Sequence, residues 1–264
     1  MPLKSKKHFF ISFILIGAFA LLSVFVYRFY KAKPLAPLTL ESLEQKYAHI
    51  SPKLWGENLD GVTTLLPSKD KKIVYLTFDA CGGDYDRALV DYLIDNHIPA
   101  TLFINERWIK AHLQDFLLLA QNPLFSIQNH GSRHLPLSVN GKSIYHIAGT
   151  NSIKEVYDEV MENDKTITSL TGKKPHYFRS GTAYYDEVAV SILKDLGYEI
   201  GGFDVLGDGG ASFSKKQILS QLSKVRNGSI LIYHFNKPKS DTYAGIVEVV
   251  PKLAQMGFSF GKLE

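Results

Sequence analysis

Cysteine is nearly absent: Cys81 is the only one in 264 residues. A single thiol excludes an internal disulfide, a multi-cysteine zinc finger and an iron–sulfur cluster held by cysteines. Acid is missing from the first 33 residues, which carry Lys4, Lys6, Lys7, Arg28, Lys31 and Lys33. Removing those six charges from the chain's net +4 leaves a body of −2. The basic total is therefore no phosphate-binding surface, and a nucleic-acid partner is not expected. Low complexity is missing too. With 45% hydrophobic and 21% charged residues, 20 Gly and 11 Pro, the composition is that of a folded chain rather than a disordered or collagen-like one.

One long apolar run is present. From Phe9 to Tyr27 no charged residue intervenes, and at 1.5 Å per helical residue that run reaches about the 30 Å of a bilayer core. A cleaved signal peptide is the rival reading, with Ala18-Phe19-Ala20 as its small-residue cleavage site. However, Leu21 to Tyr27 continue the apolar run past that point, which a signal peptide should not do. The expectation is an uncleaved transmembrane helix within residues 1–30, with its short cytoplasmic tail. A tether and lead-in segment over 31–70 follows, rich in Pro and Lys, and then a folded domain over 71–264.

Within that domain strands and helices alternate. Strands fit Ile73–Phe78, Pro99–Ile104, Leu124–Gln128, His176–Arg179, Tyr198–Asp204, Ser229–Tyr233 and Phe258–Gly261. Helices fit Arg87–Asn96, Glu106–Ala120, Asp186–Leu196, Ser214–Arg226 and Thr242–Met256. Ser152 and Glu155 form a capping box opening a further helix, which carries an apolar stripe of Ile153, Val156, Tyr157, Val160, Ile167 and Leu170 and stops at Gly172. This rhythm predicts a wholly parallel α/β fold, either a barrel or a doubly wound sheet.

The reactive side chains follow strand ends: Asp79 after the first, His130 and His134 after the third, Arg179 at the fourth, Asp204 and Asp208 after the fifth, His234 after the sixth. In a parallel barrel those positions converge on one face. His130 and His134 are four residues apart, so both imidazoles can meet one metal ion. Asp79 precedes Ala80-Cys81-Gly82-Gly83, where glycines allow a tight turn. Cys81 reads as a small buried side chain, with a thiolate zinc ligand as the alternative. Asp208 lies among Gly207, Gly209 and Gly210, as a turn residue would.

Taken in order, Thr77-Phe78-Asp79, His130-x-x-x-His134, Arg179, Asp208 and Ile232-Tyr233-His234 resemble the motifs of the polysaccharide deacetylases, carbohydrate esterase family four. The resemblance implies a distorted (β/α) barrel of seven parallel strands and removal of acetyl groups from an N-acetylated glycan with a divalent metal, zinc being expected. It implies Asp79 as base, His130 and His134 as metal ligands, Arg179 orienting the base, and His234 as acid partnered by Asp208. The family's second motif aspartate, a metal ligand, is Ala80 here. Asp79 is then left as base or as ligand, with Asp84 as another substitute, and both Asp79 roles stay open. Gly131, Gly181, Thr182 and Gly209 also depart from the pattern. The first motif, Thr-Phe-Asp-Ala-Cys-Gly-Gly, resembles that of a subgroup of the family.

The chemistry would be amide hydrolysis of a glycan, with peptidoglycan the lead substrate because a short tether places the domain near the cell wall, on the periplasmic or wall side of the membrane. Two alternatives are a non-catalytic glycan-binding envelope protein and a metal-dependent amidase of small molecules. Tyr184, Tyr185, Phe213, Phe235, Trp55 and Trp108 read as core packing more readily than as sugar platforms. Oligomeric state is left open.

Overall fold

The computed structural model describes residues 39–264. The apolar run expected as a membrane anchor lies outside them. Among the described residues no helix is long and apolar enough to cross a membrane. In chain order the elements are α1 Leu40–Tyr47, β1 Val62–Thr63, β2 Ile73–Ala80, α2 Arg87–Asp95, β3 Ala100–Ile104, α3 Glu106–Ala111, α4 Leu113–Gln121 and β4 Phe125–Asn129. After these come β5 Ser143–Ile144, β6 Ile147–Ala148, α5 Ile153–Thr171, β7 Tyr177–Phe178, α6 Glu187–Asp195, β8 Glu199–Gly201 and β9 Val205–Leu206. The chain ends with α7 Lys215–Ser220, β10 Ile230–His234, α8 Thr242–Gln255 and β11 Ser259–Gly261.

All seven expected strands form; β1 and β9 add to them in the same sheet, and β5 and β6 make a separate antiparallel pair, so the fold is not wholly parallel as expected. The sheet runs β1-β8-β7-β4-β3-β2-β10-β9, with β11 also on β2, and every one of these pairings is parallel. The path ends on β1 and β9 without closing, so the fold is a curled half-barrel of nine strands rather than a seven-stranded barrel. β2 is its centre because its apolar and β-branched run is buried almost throughout, as a strand covered on both faces should be. Its alternation splits the faces. Val74, Leu76, Phe78 and Ala80 join the large apolar cluster with Leu102, Leu231 and Tyr233, while Thr77 and Asp79 face the other way.

Local sequence sets most helix ends. Asp86, Asn105, Ser152, Asp186 and Ser214 each accept a backbone N–H at the first turn of their helices. Gly172 closes α5 in the left-handed conformation. Two expected helices are interrupted. The one over 106–120 breaks at His112, which leaves helical geometry, pairs its Nε2 with the Gly83 carbonyl at 2.8 Å and stacks on Trp108. The one over 214–226 becomes α7 and a short 3-10 turn, Gln221–Lys224.

Residues 39–70, expected as tether and lead-in, contain α1 and β1. Leu43 and Tyr47 are buried among Val156, Val160 and Leu193, and β1 pairs with β8. Tyr47 also donates to Asp195 at 2.8 Å. Leu43→Ala should therefore destabilise the domain by about 2–5 kcal/mol, read from the denaturant midpoint. A change within about 0.5 kcal/mol would mean that α1 is only draped on the surface.

Candidate active site

Parallel register brings the strand ends together. His234 is the register partner of Asp79 across β10 and β2, and Phe103 is its partner across β2 and β3. Arg179 directly follows β7 and is fully buried. Its guanidinium donates to Gly201 O (2.9 Å), Gly202 O (2.9 Å), Thr77 Oγ1 (2.9 Å) and Asp79 Oδ1 (2.7 Å), and lies over the Phe103 ring at 4.1 Å. A planar fork with this many fixed acceptors cannot swing away. Burial pushes the Asp79 carboxyl up, but Arg179, followed by His130 and His234, outweighs it and holds the group below its ordinary value. Asp79 is thus an ionised carboxylate, 3% exposed.

Two imidazoles stand beside it. His130 pairs through Nδ1 with the Arg179 carbonyl at 2.9 Å, so Nδ1 carries the proton and Nε2 presents its lone pair. That Nε2 is 3.6 Å from Asp79 Oδ2 and 3.6 Å from Cys81 Sγ. The His134 ring meets that of His130 edge-on, with centroids 5.1 Å apart, and its buried Nε2 has no hydrogen-bond partner. Among the described residues the donor atoms of Cys81, His130 and His134 all lie within 4.8 Å of one another, and no carboxylate joins that group. An unpartnered buried nitrogen beside a tautomer-fixed imidazole and a thiol suits a divalent metal ion, since all three atoms can serve as soft or borderline ligands on one ion.

The loop carrying these histidines is held by residues that sequence reasoning missed. Glu159 on α5, fully buried, accepts backbone N–H groups from Arg133 (3.0 Å) and Leu135 (3.2 Å) and the Ser132 hydroxyl (3.2 Å). Burial pushes its carboxyl up, against the pull of those bonds. Asn105 donates to His130 O and Gly131 O, and Asn129 Oδ1 accepts from Gly131 N. The available signal was an acid, Glu159, adjoining Val160 on the stripe side of α5.

Two departures from the family pattern also become intelligible. A side chain on Gly131 would bring its Cβ 2.3 Å from Glu159 Oε1. One on Gly181 would lie 2.4 Å from the His134 backbone, which itself holds a positive φ of 66°. Gly181→Ala should therefore shift His134 and weaken metal binding by about 10–100-fold, measured by competition with a chromogenic chelator. Unchanged affinity would show that the His134 loop adapts.

On the other side, Asp208 is buried and accepts from His234 Nδ1 (3.0 Å), His234 N (2.7 Å) and Thr242 Oγ1 (3.0 Å). Burial lowers the His234 pKa, but the Asp208 carboxylate overrides it and raises the pKa well above the ordinary imidazole value. Cys81 is half-buried, not fully buried as expected. Burial pushes its thiol up, yet hydrogen bonding to His130, His134 and His234 leaves it well below its ordinary value.

Not every expected residue is brought here. Asp204 accepts from Ile230 N and Ser229 Oγ and works as a strand latch. The Asp84 side chain is exposed and stands outside the converging donors. Phe235, Tyr185 and Trp108 are core, whereas Phe213 lines the cavity and Tyr184 packs between Trp55 and Tyr145. The cavity, about 900 Å3, is lined by Asp79, Cys81, His134 and His234, with Arg107 and Lys237 also on its walls.

The family model described as polysaccharide deacetylase matches residues 67–201, just over half of the chain. The chain belongs to the polysaccharide deacetylase family. Solved structures share this family fold. A family four pseudoenzyme from Bacillus anthracis is 21% identical with a TM-score of 0.62, covering 74% of this chain; the chain spans 65% of that protein's length. The Bc1960 peptidoglycan N-acetylglucosamine deacetylase is 18% identical, covers 75% of this chain and 88% of its own, and has a TM-score of 0.64. The family four carbohydrate esterase PdaA from Bacillus subtilis is 22% identical, covers 84% of this chain and 86% of its own, and has a TM-score of 0.61. At these identities the likeness is one of fold, and the role of each residue in this family member rests on the geometry above.

Proposed function

We propose that this protein is a metal-dependent N-deacetylase of an N-acetylated envelope glycan, with peptidoglycan as its substrate. We further propose that Phe9–Tyr27 anchors it in the membrane with the catalytic domain outside the cytoplasm. The observation that carries the catalytic reading is a register-paired carboxylate and imidazole, each held by a buried partner of opposite charge: Asp79 on Arg179 at 2.7 Å and His234 on Asp208 at 3.0 Å. These partners favour an ionised Asp79 and a protonated His234, beside the buried His130 and the part-buried His134. Environments that drive two titratable groups apart assign a base and an acid.

His130, His134 and a third donor would hold the ion, which when bound supplies polarisation of the acetyl carbonyl and acidification of a water. Asp79 takes a proton from the attacking water, and Arg179 keeps Asp79 ionised and aimed. His234 has Nδ1 occupied by Asp208, so Nε2 is the end that delivers a proton to the departing sugar nitrogen. One water is consumed, the C–N bond breaks, and acetate and a free amine result. Support for peptidoglycan comes from the similar fold described as a peptidoglycan N-acetylglucosamine deacetylase and from the tether length that the sequence provides. The charge-free run before Arg28 supports the anchor.

A second reading has its own observation. Ala80 carries no carboxylate, and one similar fold is a pseudoenzyme. The test is acetate release from N-acetylated peptidoglycan by the full chain in detergent, before and after chelation and Zn2+ return. Release that stops on chelation and recovers with Zn2+ supports the deacetylase. Tight glycan binding without acetate under Zn2+, Co2+ or Mn2+ would make it a non-catalytic glycan binder, and turnover confined to small amides would make it an amidase.

A further inference from the structure

We infer that the Cys81 thiolate is the third protein ligand of the metal, in place of a carboxylate, and that Asp79 is thereby left free to act as base. This rests on the metal-dependent reading above and decides which residues make the centre. The strand supplies the reason. Ala80 is completely buried in the apolar cluster between sheet and helices, on the face opposite Asp79. A carboxylate at position 80 of this backbone would enter that cluster rather than the cavity. Side chains alternate along β2, so the next residue returns to the Asp79 side. That residue is Cys81.

One distance matches and the rest of the set is compatible. Bonds of about 2.3 Å to sulfur and 2.0–2.1 Å to nitrogen, at a tetrahedral angle, place the two donor atoms about 3.6 Å apart. Cys81 Sγ and His130 Nε2 are 3.6 Å apart. Sγ, His130 Nε2 and a His134 ring nitrogen lie within 4.8 Å of one another, and His134 Nε2 has no protein partner. Asp79 approaches His130 as closely, at 3.6 Å, but it is not a member of the converging set and its Oδ1 is committed to Arg179.

The turn bearing the thiol is also fixed. Cys81 O accepts from Arg107 Nη2 at 2.7 Å, Gly82 O from Asn236 Nδ2, and Gly83 O pairs with His112 Nε2 at 2.8 Å. Three consecutive carbonyls each have their own side-chain partner, so Sγ is held where it is rather than reaching the site by chance. The break in the helix at His112 is part of this clamp. Chemically, a set of one thiolate and two imidazoles favours Zn2+ or Co2+ over Mg2+ and Mn2+, which prefer oxygen ligands.

The test uses the full chain in detergent, stripped of metal and titrated with Co2+. The expected result is one equivalent bound, with a near-ultraviolet thiolate-to-cobalt charge-transfer band. Because Cys81 is the only cysteine, that band and the rate of thiol alkylation report on this side chain alone. Bound Zn2+ should slow alkylation of the wild type, and His130→Ala should abolish that protection. Cys81→Ala should lose the band and weaken Zn2+ binding by more than the 10–100-fold typical of an outer-sphere loss. Cys81→Asp should bind Co2+ without the band, which shows that the variant is folded. Asp79→Asn should keep both the band and the metal.

Stoichiometric Co2+ without a charge-transfer band, with metal lost in Asp79→Asn, would overturn the assignment and make Asp79 the ligand. Failure of the wild type to bind Zn2+ or Co2+ at all would instead remove the metal-dependent reading itself.

Discussion

Asp79→Asn should lower kcat for acetate release by about 10²–10⁴-fold, the usual contribution of a positioned general base, with KM and metal content nearly unchanged. The substitution keeps the shape of the side chain and an oxygen for Arg179, and removes only the charge and the basicity. Arg179 still has Gly201 O, Gly202 O and Thr77 Oγ1 as acceptors, so the guanidinium stays in place. Loss of its counter-charge should nevertheless show in stability, because breaking a buried pair from one side costs about 3–5 kcal/mol at most. Kinetics, metal analysis and thermal unfolding on one preparation separate the roles. A kcat within about tenfold of wild type falls short of what a general base supplies and would exclude Asp79 as base. A fall in kcat that tracks lost metal would make it a ligand instead.

Much of this arrangement could be read before any coordinates. Strands such as Ile73–Phe78 and Pro99–Ile104 carried their own apolar or β-branched runs, and Ser152 marked a helix start by side-chain chemistry alone. The strand-end positions of Asp79, His130, Arg179 and His234 then followed from the parallel rhythm, and register places His234 against Asp79. What was illegible depends on partners distant in sequence. β1 is two residues long and is a strand only because β8 lies beside it. α1 shows two buried positions, Leu43 and Tyr47, in eight residues, too few for a periodic signal. Glu159 holds a loop about two dozen residues away, and no local pattern states that.

Cys81 illustrates the same limit at the site. A lone cysteine in a sequence is most simply a small apolar side chain. Its role changes only once the alternation of β2, the burial of Ala80 and the orphaned nitrogen of His134 are seen together. Gly131 and Gly181 also looked like losses from a motif. Both are positions where a side chain would collide with the histidine loop or its brace, so they belong with this loop conformation rather than with decay of the site.

Asp208→Asn should produce the second large effect, a loss of about 10²–10⁴-fold in kcat at neutral pH together with a displaced pH profile. The wild-type His234 pKa is raised well above its ordinary value of about 6.5, so the acid form persists above that pH and the alkaline limb of activity lies beyond it. Without the carboxylate, burial is opposed only by the Cys81 thiolate, so the imidazole pKa falls and the limb moves down. An amide that turned its NH2 toward Nδ1 would also favour the neutral ring, whose Nε2–H is a far weaker acid than the imidazolium. Saturating pH–rate profiles of both proteins test this, and an alkaline limb that stays in place would mean that His234 is not the acid. The same shift has a stability counterpart. A raised folded-state pKa stabilises the fold in full below the unfolded value, about 6.5, and that contribution is lost as pH rises through the folded value. Wild-type unfolding temperature should therefore fall across that window, and Asp208→Asn should flatten the fall even where no catalysis is measured.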